Sequence, residues 1–353
     1  MGKIFFDGRP IFEVSNRKEL EEAVAMYKGK VETPYVVQLP NGAKEAWKEA
    51  FHFDDTIEVV LLPNTIEEIG REVFMNCSSL TVVHIPDSVK KIESNAFRNC
   101  ACLAHINIPA SVSEIGDNVF MGCASLSKIK VDANNNSFDS RDNCNAIIET
   151  KTNTLLYGCA NTVIPETVKK IEYGAFFGNK VLKKIKIPES VEEISQDVFW
   201  ECSGLEEVEG LGSLKEIPNG TFCSCTSLSK ISFSDKIEVI DGFSGCTGLH
   251  EIIIPNSVVE IKHFAFEGCT SLSKITISGF SKTIAPSAFS RCTGLRVIYC
   301  EDPNLREYLK EYNPADVKIV EWTKEMIAAR NVLESFRRLG PIDKQRNEDA
   351  PLE

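Results

Sequence analysis

The sequence predicts an α/β repeat solenoid in which parallel strands form a long concave sheet and small modules cap both ends. Two observations predict this fold. Phenylalanine recurs every 23 residues along most of the chain, and cysteine recurs at the same interval, three residues after the phenylalanine. Self-similarity at such a period is typical of solenoids, because each coil packs only against its neighbours.

The phenylalanine ladder has two irregular intervals. From Phe222 to Phe243 the interval is 21, which indicates a two-residue deletion, and from Phe120 to Phe176 it is 56, which indicates an insertion of 33 residues. The ladder consists of Phe51, Phe74, Phe97, Phe120, Phe176, Phe199, Phe222, Phe243, Phe266 and Phe289. The periodic cysteines fill one inward slot per coil, where we expect small apolar side chains rather than disulfides or metal ligands.

One unit reads I-P-x-S-V-x-x-I-x-x-x-A-F-x-x-C-x-x-L-x-x-I, most clearly from Ile85 to Ile106. The segment L-x-x-I-x-I-P alternates as a strand does, and a proline such as Pro109 ends it because proline lacks a backbone donor. The segment V-x-x-I forms the opposite wall, and A-F-x-x-C is predicted to make a short helical turn. No unit can bury its apolar face alone, so stacking must create the core.

The outer pair of V-x-x-I changes charge from coil to coil. In-register residues on stacked strands lie about 4.8 Å apart, where opposite charges attract. The pattern therefore favours a parallel stack, although solvated charge is the alternative. The pairs are Glu67-Glu68, Lys90-Lys91, Ser113-Glu114, Lys169-Lys170 and Glu192-Glu193.

The unit resembles the BspA-type leucine-rich repeat, because I-P-x-S-V, A-F and C-x-x-L recur together over roughly residues 36–300. Asn179 at a cysteine position, Ser234 at a proline position and the shortened Phe243 coil depart from the pattern. The resemblance implies a leucine-rich-repeat horseshoe or right-handed superhelix. The family occurs mainly in surface and secreted proteins of bacteria and some protozoa. The resemblance implies adhesion or protein recognition, and no catalytic residues.

The pattern divides the chain into four regions. We expect an N-terminal capping module over 1–34, a solenoid over 35–300 with a hairpin insertion at about 132–162, a C-terminal capping module over 301–340 and a disordered tail over 341–353. In the first module, two strands should flank Asp7-Gly8, and a helix should run from Asn16 or Arg17 to Lys28.

The C-terminal module should contain a helix from Asn304 to Tyr312, a strand from Val317 to Trp322 and a helix from Thr323 to Leu339. The last helix carries an apolar stripe, which we interpret as core packing rather than a cofactor or partner groove. The stripe is Met326, Ala329, Leu333 and Phe336.

The insertion predicts a hairpin whose strands contain Ala146 to Glu149 and Thr154 to Tyr157. If Glu149 faces Thr154, Cys144 faces Cys159 across the ladder. A disulfide and two buried thiols are both open at this point.

Composition excludes some classes of function. The formal net charge of −12 argues against a nucleic-acid binder, and no stretch of about 18 apolar residues predicts a membrane span. The opening residues do not form a signal peptide. The expected location is therefore the cell surface or the outside if a leader has been removed, and the cytoplasm otherwise. We expect a monomer.

Catalytic signatures are missing from the sequence, so we expect a non-enzyme without cofactor or metal. Cys100-x-Cys102 and Cys223-x-Cys225 resemble metal pairs, but each contains a ladder cysteine that faces inward. Carboxylate pairs such as Glu206-Glu207 lie on predicted surface faces. An enzyme with its site in a terminal module is a remote alternative.

The outward residues of the concave strands are the candidate binding surface. Among them Lys128, Lys130, Lys184 and Lys186 form a basic cluster, which predicts contact with an acidic ligand, with solvated lysines as the alternative. We predict a non-enzymatic module that binds a protein or glycan, adhesin-like at a surface, or alternatively an intracellular scaffold. The candidate residues are His105, Asn107, Lys128, Lys130, Asn161, Lys184, Lys186, Glu207, Glu209, Lys230, Ser232, Glu251, Lys274 and Thr276.

Overall fold

The computed structural model describes residues 5–6, 9–14, 17–26, 35–46, 48–280, 282–312, 316–323 and 325–326. The described chain is a parallel-sheet solenoid, which confirms the predicted repeat fold. Within those ranges the coils consist of strands and turns, and the two α-helices assigned there lie outside the coils.

The N-terminal region forms a small βαβ unit on the first coil. Its strands β1 and β2 are antiparallel, and β2 then pairs in parallel with the first coil strand. Its elements are β1 (Phe5–Phe6), β2 (Arg9–Glu13) and α1 (Arg17–Met26). The helix predicted to end at Lys28 is described only to Met26, and the following residues lie outside the described ranges.

Each coil before the insertion contributes one strand to each of two walls. The strands are β3 (Tyr35–Gln38), β4 (Glu45–Ala46), β5 (Ile57–Leu61), β6 (Glu68–Ile69), β7 (Val82–His84), β8 (Lys91–Ile92), β9 (His105–Ile108), β10 (Glu114–Ile115) and β11 (Lys128–Val131). The insertion then contains β12 (Phe138–Asp139), a 3₁₀ turn (Arg141–Asn143), β13 (Ala146–Glu149) and β14 (Thr154–Gly158).

The coils after the insertion repeat the same alternation and end in a helix and a strand. They contain β15 (Lys170–Ile171), β16 (Lys184–Lys186), β17 (Glu193–Ile194), β18 (Glu207–Glu209), β19 (Glu216–Ile217), β20 (Lys230–Ile231), β21 (Val239–Ile240), β22 (Glu251–Ile254), β23 (Glu260–Ile261), β24 (Lys274–Ile277), β25 (Thr283–Ile284), β26 (Val297–Cys300), α2 (Pro303–Tyr312) and β27 (Lys318–Glu321).

The two walls differ in strand length and in continuity. The short-strand wall is made of two-residue strands, most of which are E-I or K-I pairs, as in β6, β8 and β10. The long-strand wall, which is the predicted concave side, is a row of four sheets rather than one continuous sheet. It contains β3-β5-β7, β9-β11, β16-β18-β20 and β22-β24-β26-β27. Register across each sheet follows the repeat, as where Ile106 pairs with Ile129.

The A-F-x-x-C segment is a tight turn and not the helical turn that we predicted. The backbone enters the left-handed region on both sides of the ring, at Asn95 (φ 61°) and Asn99 (φ 59°) in the Phe97 coil. Two left-handed residues so close together stop helix propagation, and asparagine tolerates that region better than most residues. The turns form a third side of the solenoid, which we call the turn edge.

The ladder rings are buried and stack face to face from coil to coil. Phe51 and Phe74 have ring centroids 5.6 Å apart and 2° from parallel, and Phe199 and Phe222 lie 5.3 Å apart at 1°. Each buried ring contributes roughly 1.5–3 kcal/mol from burial alone. The ladder is therefore a major source of stability, as the period predicted.

The ladder thiols are buried and hydrogen-bonded. Cys100 donates its S–H to the Phe74 carbonyl at 3.1 Å, and Cys225 donates to the Phe199 carbonyl at the same distance. Burial raises the pKa of Cys123 to about 12. All thirteen cysteines are free thiols, so the ladder position is structural.

The insertion hairpin divides the core into two clusters. Ile147 and Tyr157 are cross-strand partners that pack into the cluster before the insertion. Ala146, Ile148 and Leu155 pack into the cluster after it. Because successive side chains point to opposite faces of a strand, the hairpin carries one half of the solenoid on each face.

Tyr157 ends the first half of the ladder. Its ring meets Phe120 edge-on at 5.4 Å, where a further phenylalanine would have stacked. Its hydroxyl accepts a hydrogen bond from the Val119 amide at 3.0 Å and donates to the Gly116 carbonyl at 2.9 Å. In the Phe97 coil the equivalent groups, the Ala96 amide and the Glu93 carbonyl, bond directly to each other at 3.2 Å. The Tyr157 hydroxyl thus bridges a backbone pair at the junction and satisfies both of its groups.

The hairpin register separates Cys144 from Cys159. Glu149 does face Thr154, but a bulge shifts the pairing so that Ala146 faces Gly158. The two thiols consequently lie in different core clusters, and Cys159 donates to the Asn145 carbonyl at 3.2 Å. The structure therefore favours two buried thiols over the disulfide.

At the far end, α2 and β27 continue the stack. Leu305 and Leu309 of α2 are buried in the second cluster, and β27 pairs in parallel with β26. Thr323 accepts a hydrogen bond from the Met326 amide, as an N-cap would. Met326, the first residue of the predicted apolar stripe, is 40% exposed, so the core packing predicted for it is wrong. The rest of the helix predicted to Leu339, with the other stripe residues, and the predicted tail lie outside the described residues.

Candidate functional site

The long-strand wall presents most of the predicted binding residues to solvent. His105 and Asn107 on β9 are exposed, and Lys128 and Lys130 on β11 are exposed beside them. Register places Lys128 next to His105 and Lys130 next to Asn107. The sequence pattern therefore identified the outward face of these strands correctly.

Thr276 and Asn161 are two predicted binding residues that are not exposed residues of a strand. Thr276 is only 2% exposed, because its short side chain lies between Ile253 and Tyr299 in the same row of the sheet. Asn161 is exposed but lies in a turn, and its amide donates to the Ser127 carbonyl at 3.0 Å. Thr276 is therefore not available as a surface contact.

The second half of the wall is neutralised by ion pairs between neighbouring coils. Lys184 pairs with Glu207 at 3.5 Å and also with Glu209. Lys274 pairs with Glu251 at 3.1 Å. These pairs are half exposed, so each contributes little to stability, but they remove the positive charge that the sequence suggested there.

Other charged residues of the wall are paired more loosely. Lys230 lies 3.9 Å from Glu207, and Lys186 lies 3.9 Å from Glu166. Ser232 is exposed just after β20. The predicted cluster of four lysines is consequently not one basic patch.

Lys128 and Lys130 make no ion pair with any part of the chain that the structure describes, and they lie next to the break between β11 and β16. Val163, in the connection after the insertion, is 72% exposed. An exposed apolar side chain therefore lies close to the interruption of the wall. The unpaired lysines and this valine are the distinctive features of the wall.

The short-strand wall carries the predicted charge ladder. Glu67 bridges Lys44 and Lys90, with 2.8 Å between charged atoms on each side. Hydrogen bonds from the two lysines lower the pKa of Glu67 to about 2. Lys169 pairs with Glu192 at 2.7 Å beyond the insertion. These charges are satisfied within the stack, which makes this wall a poor candidate for a binding site.

The described residues do not gather three or more histidine, cysteine, aspartate or glutamate side chains into a metal-ligating group. Cys223 and Cys225 are both buried, whereas Cys102 is exposed and Cys100 is not. The C-x-C pairs therefore do not present two thiols on one accessible face. No described helix has the length and apolar character needed to cross a membrane.

These features define a leucine-rich-repeat solenoid with an exposed, charged long-strand wall. The model of the BspA type leucine rich repeat region matches residues 44–154, 147–242 and 241–313, with six copies. The chain belongs to this family. None of the curated proteins compared with it matches.

Solved structures show the same fold. The pneumococcal vaccine antigen PcpA has a TM-score of 0.66 and 21% identity, over 84% of this chain and 81% of its own. A leucine-rich repeat protein from Eubacterium ventriosum has a TM-score of 0.52 and 22% identity, over 72% of this chain and 82% of its own. At these identities the likeness shows the fold alone.

Proposed function

We propose that this protein is a non-enzymatic recognition module that binds an acidic protein or glycan ligand through the concave side of the long-strand wall, as an adhesin-like surface protein would. The observation that carries the proposal is the exposed pair Lys128 and Lys130, which lacks acidic partners among the described residues. An unpaired positive patch on a protein of net charge −12 is a local inversion of charge. Such patches attract acidic surfaces and set specificity.

The chemistry of the chain supports a non-enzymatic role. Burial raises the pKa of most ladder thiols, as for Cys123, so they are poor nucleophiles. A cavity of about 290 Å³ lies between Phe289 and α2. Its Tyr308 hydroxyl is already bound to the Ile284 carbonyl at 2.7 Å, so that group is engaged in structure.

Charge reversal tests the proposed surface. Lys128→Glu with Lys130→Glu should weaken binding to purified acidic glycoproteins or acidic polysaccharides about tenfold or more, measured by surface plasmon resonance on the full chain. Lys151→Glu, which makes the same charge change at an exposed hairpin turn, is the matched control. Equal binding by the double variant and the wild type would refute the concave surface.

An intracellular scaffold is the second candidate, and the thirteen free thiols favour it. Antibody labelling of cells distinguishes a cell-surface location from an intracellular one. Antibody labelling of intact source cells detects an adhesin-like protein without permeabilisation, whereas a scaffold is labelled only after permeabilisation.

A further inference from the structure

The turn edge carries a row of side chains that sequence analysis did not single out. Each row member directly follows a ladder ring, and backbone hydrogen bonds between coils connect the members. The Gly122 amide donates to the Phe177 carbonyl at 3.0 Å, and the Gly178 amide donates to the Trp200 carbonyl at 2.7 Å. Met121, Phe177, Trp200 and Cys223 therefore lie in this order on successive coils.

This position does not require an aromatic side chain. Other coils hold Ser244, Glu267 or Ser290 there, and their ladder rings pack in the same stack. Phe177 and Trp200 occupy the slot on adjacent coils, partly exposed, with Tyr173 close by and 42% exposed. We call Tyr173, Phe177 and Trp200 the aromatic patch.

The aromatic patch is preformed. The rings of Phe177 and Trp200 lie 6.4 Å apart and 13° from parallel. Gly220 lacks a side chain beneath Trp200: a Cβ there would come within 3.0 Å of the indole ring and 1.7 Å of an Asp197 carboxylate oxygen. The Asp197 carboxylate and the indole therefore both pack against Gly220, in the space that a side chain at this position would need.

Carboxylates surround the aromatic patch. Burial and the neighbouring Asp197 carboxylate raise the pKa of Tyr173. The indole N–H of Trp200 donates to Glu201 at 3.3 Å. Arg98, two positions before Phe177 in the row, brings a positive charge to the border of the patch, which partly opposes this rise in the pKa of Tyr173. Negative charge predominates around the exposed rings.

We infer that the aromatic patch is a second interaction surface, separate from the concave wall, which binds arginine or lysine side chains of a basic segment in a protein partner. Ring faces attract cations, most strongly for tryptophan. Aromatic residues, methionine and arginine are the residues enriched in protein interfaces. Asp197 and Glu201 supply the complementary charge, and the net charge of −12 steers a basic partner toward the protein.

The experiment uses the full chain and a fluorescein-labelled peptide of alternating arginine and alanine, with binding measured by anisotropy at a fixed salt concentration. Trp200→Ser with Phe177→Ser introduces the residue that other coils already hold in this slot. The inference predicts at least tenfold weaker binding for this double variant, and weaker binding for Asp197→Asn. An alternating glutamate and alanine peptide should not bind.

The matched control is Glu267→Gln, which removes a carboxylate from the same row outside the aromatic patch. It should bind the basic peptide as the wild type does. The Lys128→Glu and Lys130→Glu variant should bind the peptide no more weakly than the wild type, since it removes nothing from the aromatic patch and adds negative charge. The inference is overturned if the wild type does not bind the peptide, if the serine variant keeps its affinity, or if Glu267→Gln weakens binding equally. Urea unfolding of each variant verifies that the fold is retained.

Discussion

The regular stacks and the insertion junction solve the same packing problem in different ways. In the stacks, each ring lies on an identical ring, as Phe74 does on Phe51. At the junction, Tyr157 meets Phe120 edge-on and uses its hydroxyl to satisfy two backbone groups. Repetition alone maintains a stack, whereas an interruption needs a side chain with both an apolar ring and a polar end. The comparison predicts different responses to mutation.

Removing a ring from the middle of a stack should have the largest effect. Phe199 lies between Phe176 at 4.9 Å and Phe222 at 5.3 Å and is fully buried. Phe199→Ala should reduce the free energy of unfolding by about 3–5 kcal/mol, because it removes buried area and leaves a cavity. Urea unfolding followed by circular dichroism measures it. A loss below 1 kcal/mol (roughly the cost of a surface change) would contradict the ladder account.

At the junction, Tyr157→Phe keeps the ring and removes only the hydroxyl. The Val119 amide and the Gly116 carbonyl then lose their partner inside the protein, which should cost about 1–3 kcal/mol. Tyr308→Phe is the matched control, since its partly buried hydroxyl has one hydrogen bond among the described residues, to the Ile284 carbonyl at 2.7 Å. The junction variant should be the more destabilised of the two. The reverse order would show that Tyr157 is not a cap.

Thiol reactivity tests whether the junction cysteines are buried and reduced, as the ladder cysteines are. Cys144 and Cys159 at the junction and the ladder cysteines are all buried and free, whereas Cys102 is exposed. Brief treatment of the native protein with iodoacetamide should therefore add one group per chain, and treatment in denaturant should add thirteen. Intact mass spectrometry counts the groups. A mass two units lower (the two hydrogen atoms lost on disulfide formation) without reductant would show that a disulfide forms after all.

The smallest effect is expected on the short-strand wall, where charges rather than rings repeat. The pKa of Glu67 is lowered to about 2 from its ordinary 4.5 by Lys44 and Lys90. A lowered folded-state pKa adds stability that is present above pH 4.5 and is lost as the pH falls toward 2. A double-mutant cycle of Lys44→Gln and Glu67→Gln should therefore show a small favourable coupling at neutral pH. That coupling should vanish near pH 2, and a constant value across the range would argue against the ion pair.

The sequence predicted the parts of the fold that repeat. The Phe and Cys periods identified inward slots, and the alternation in L-x-x-I-x-I-P identified the wall strands, since each coil has the same surroundings as the next. Predictions were wrong where the side chains that flank a position differ from those that flank the same position in other coils. Thr276 was expected at the surface, but Ile253 and Tyr299 flank it closely enough to bury it.

The junction could not be predicted from the 23-residue period because the insertion does not contain the repeat. Tyr157 lies 37 residues after Phe120 and so falls outside the ladder spacing. The bulge that separates Cys144 from Cys159 depends on packing on both faces of the hairpin, which no local pattern encodes. The adjacent isoleucines Ile147 and Ile148 were the available signal. Neighbouring side chains in a strand point to opposite faces, so this pair indicates a strand that is apolar on both faces. In the candidate site, ion pairs such as Lys184 with Glu207 depend on register and could be anticipated only after stacking was assumed.

A hairpin with a hydrophobic core on each face joins two stacks that need not match each other in length. Ile147 and Tyr157 complete the earlier stack, and Ile148 and Leu155 begin the later one. Coils could therefore be gained or lost on either side without disturbing this junction. The length of the solenoid could then change in evolution in steps of 23 residues while the residues of the hairpin stay the same.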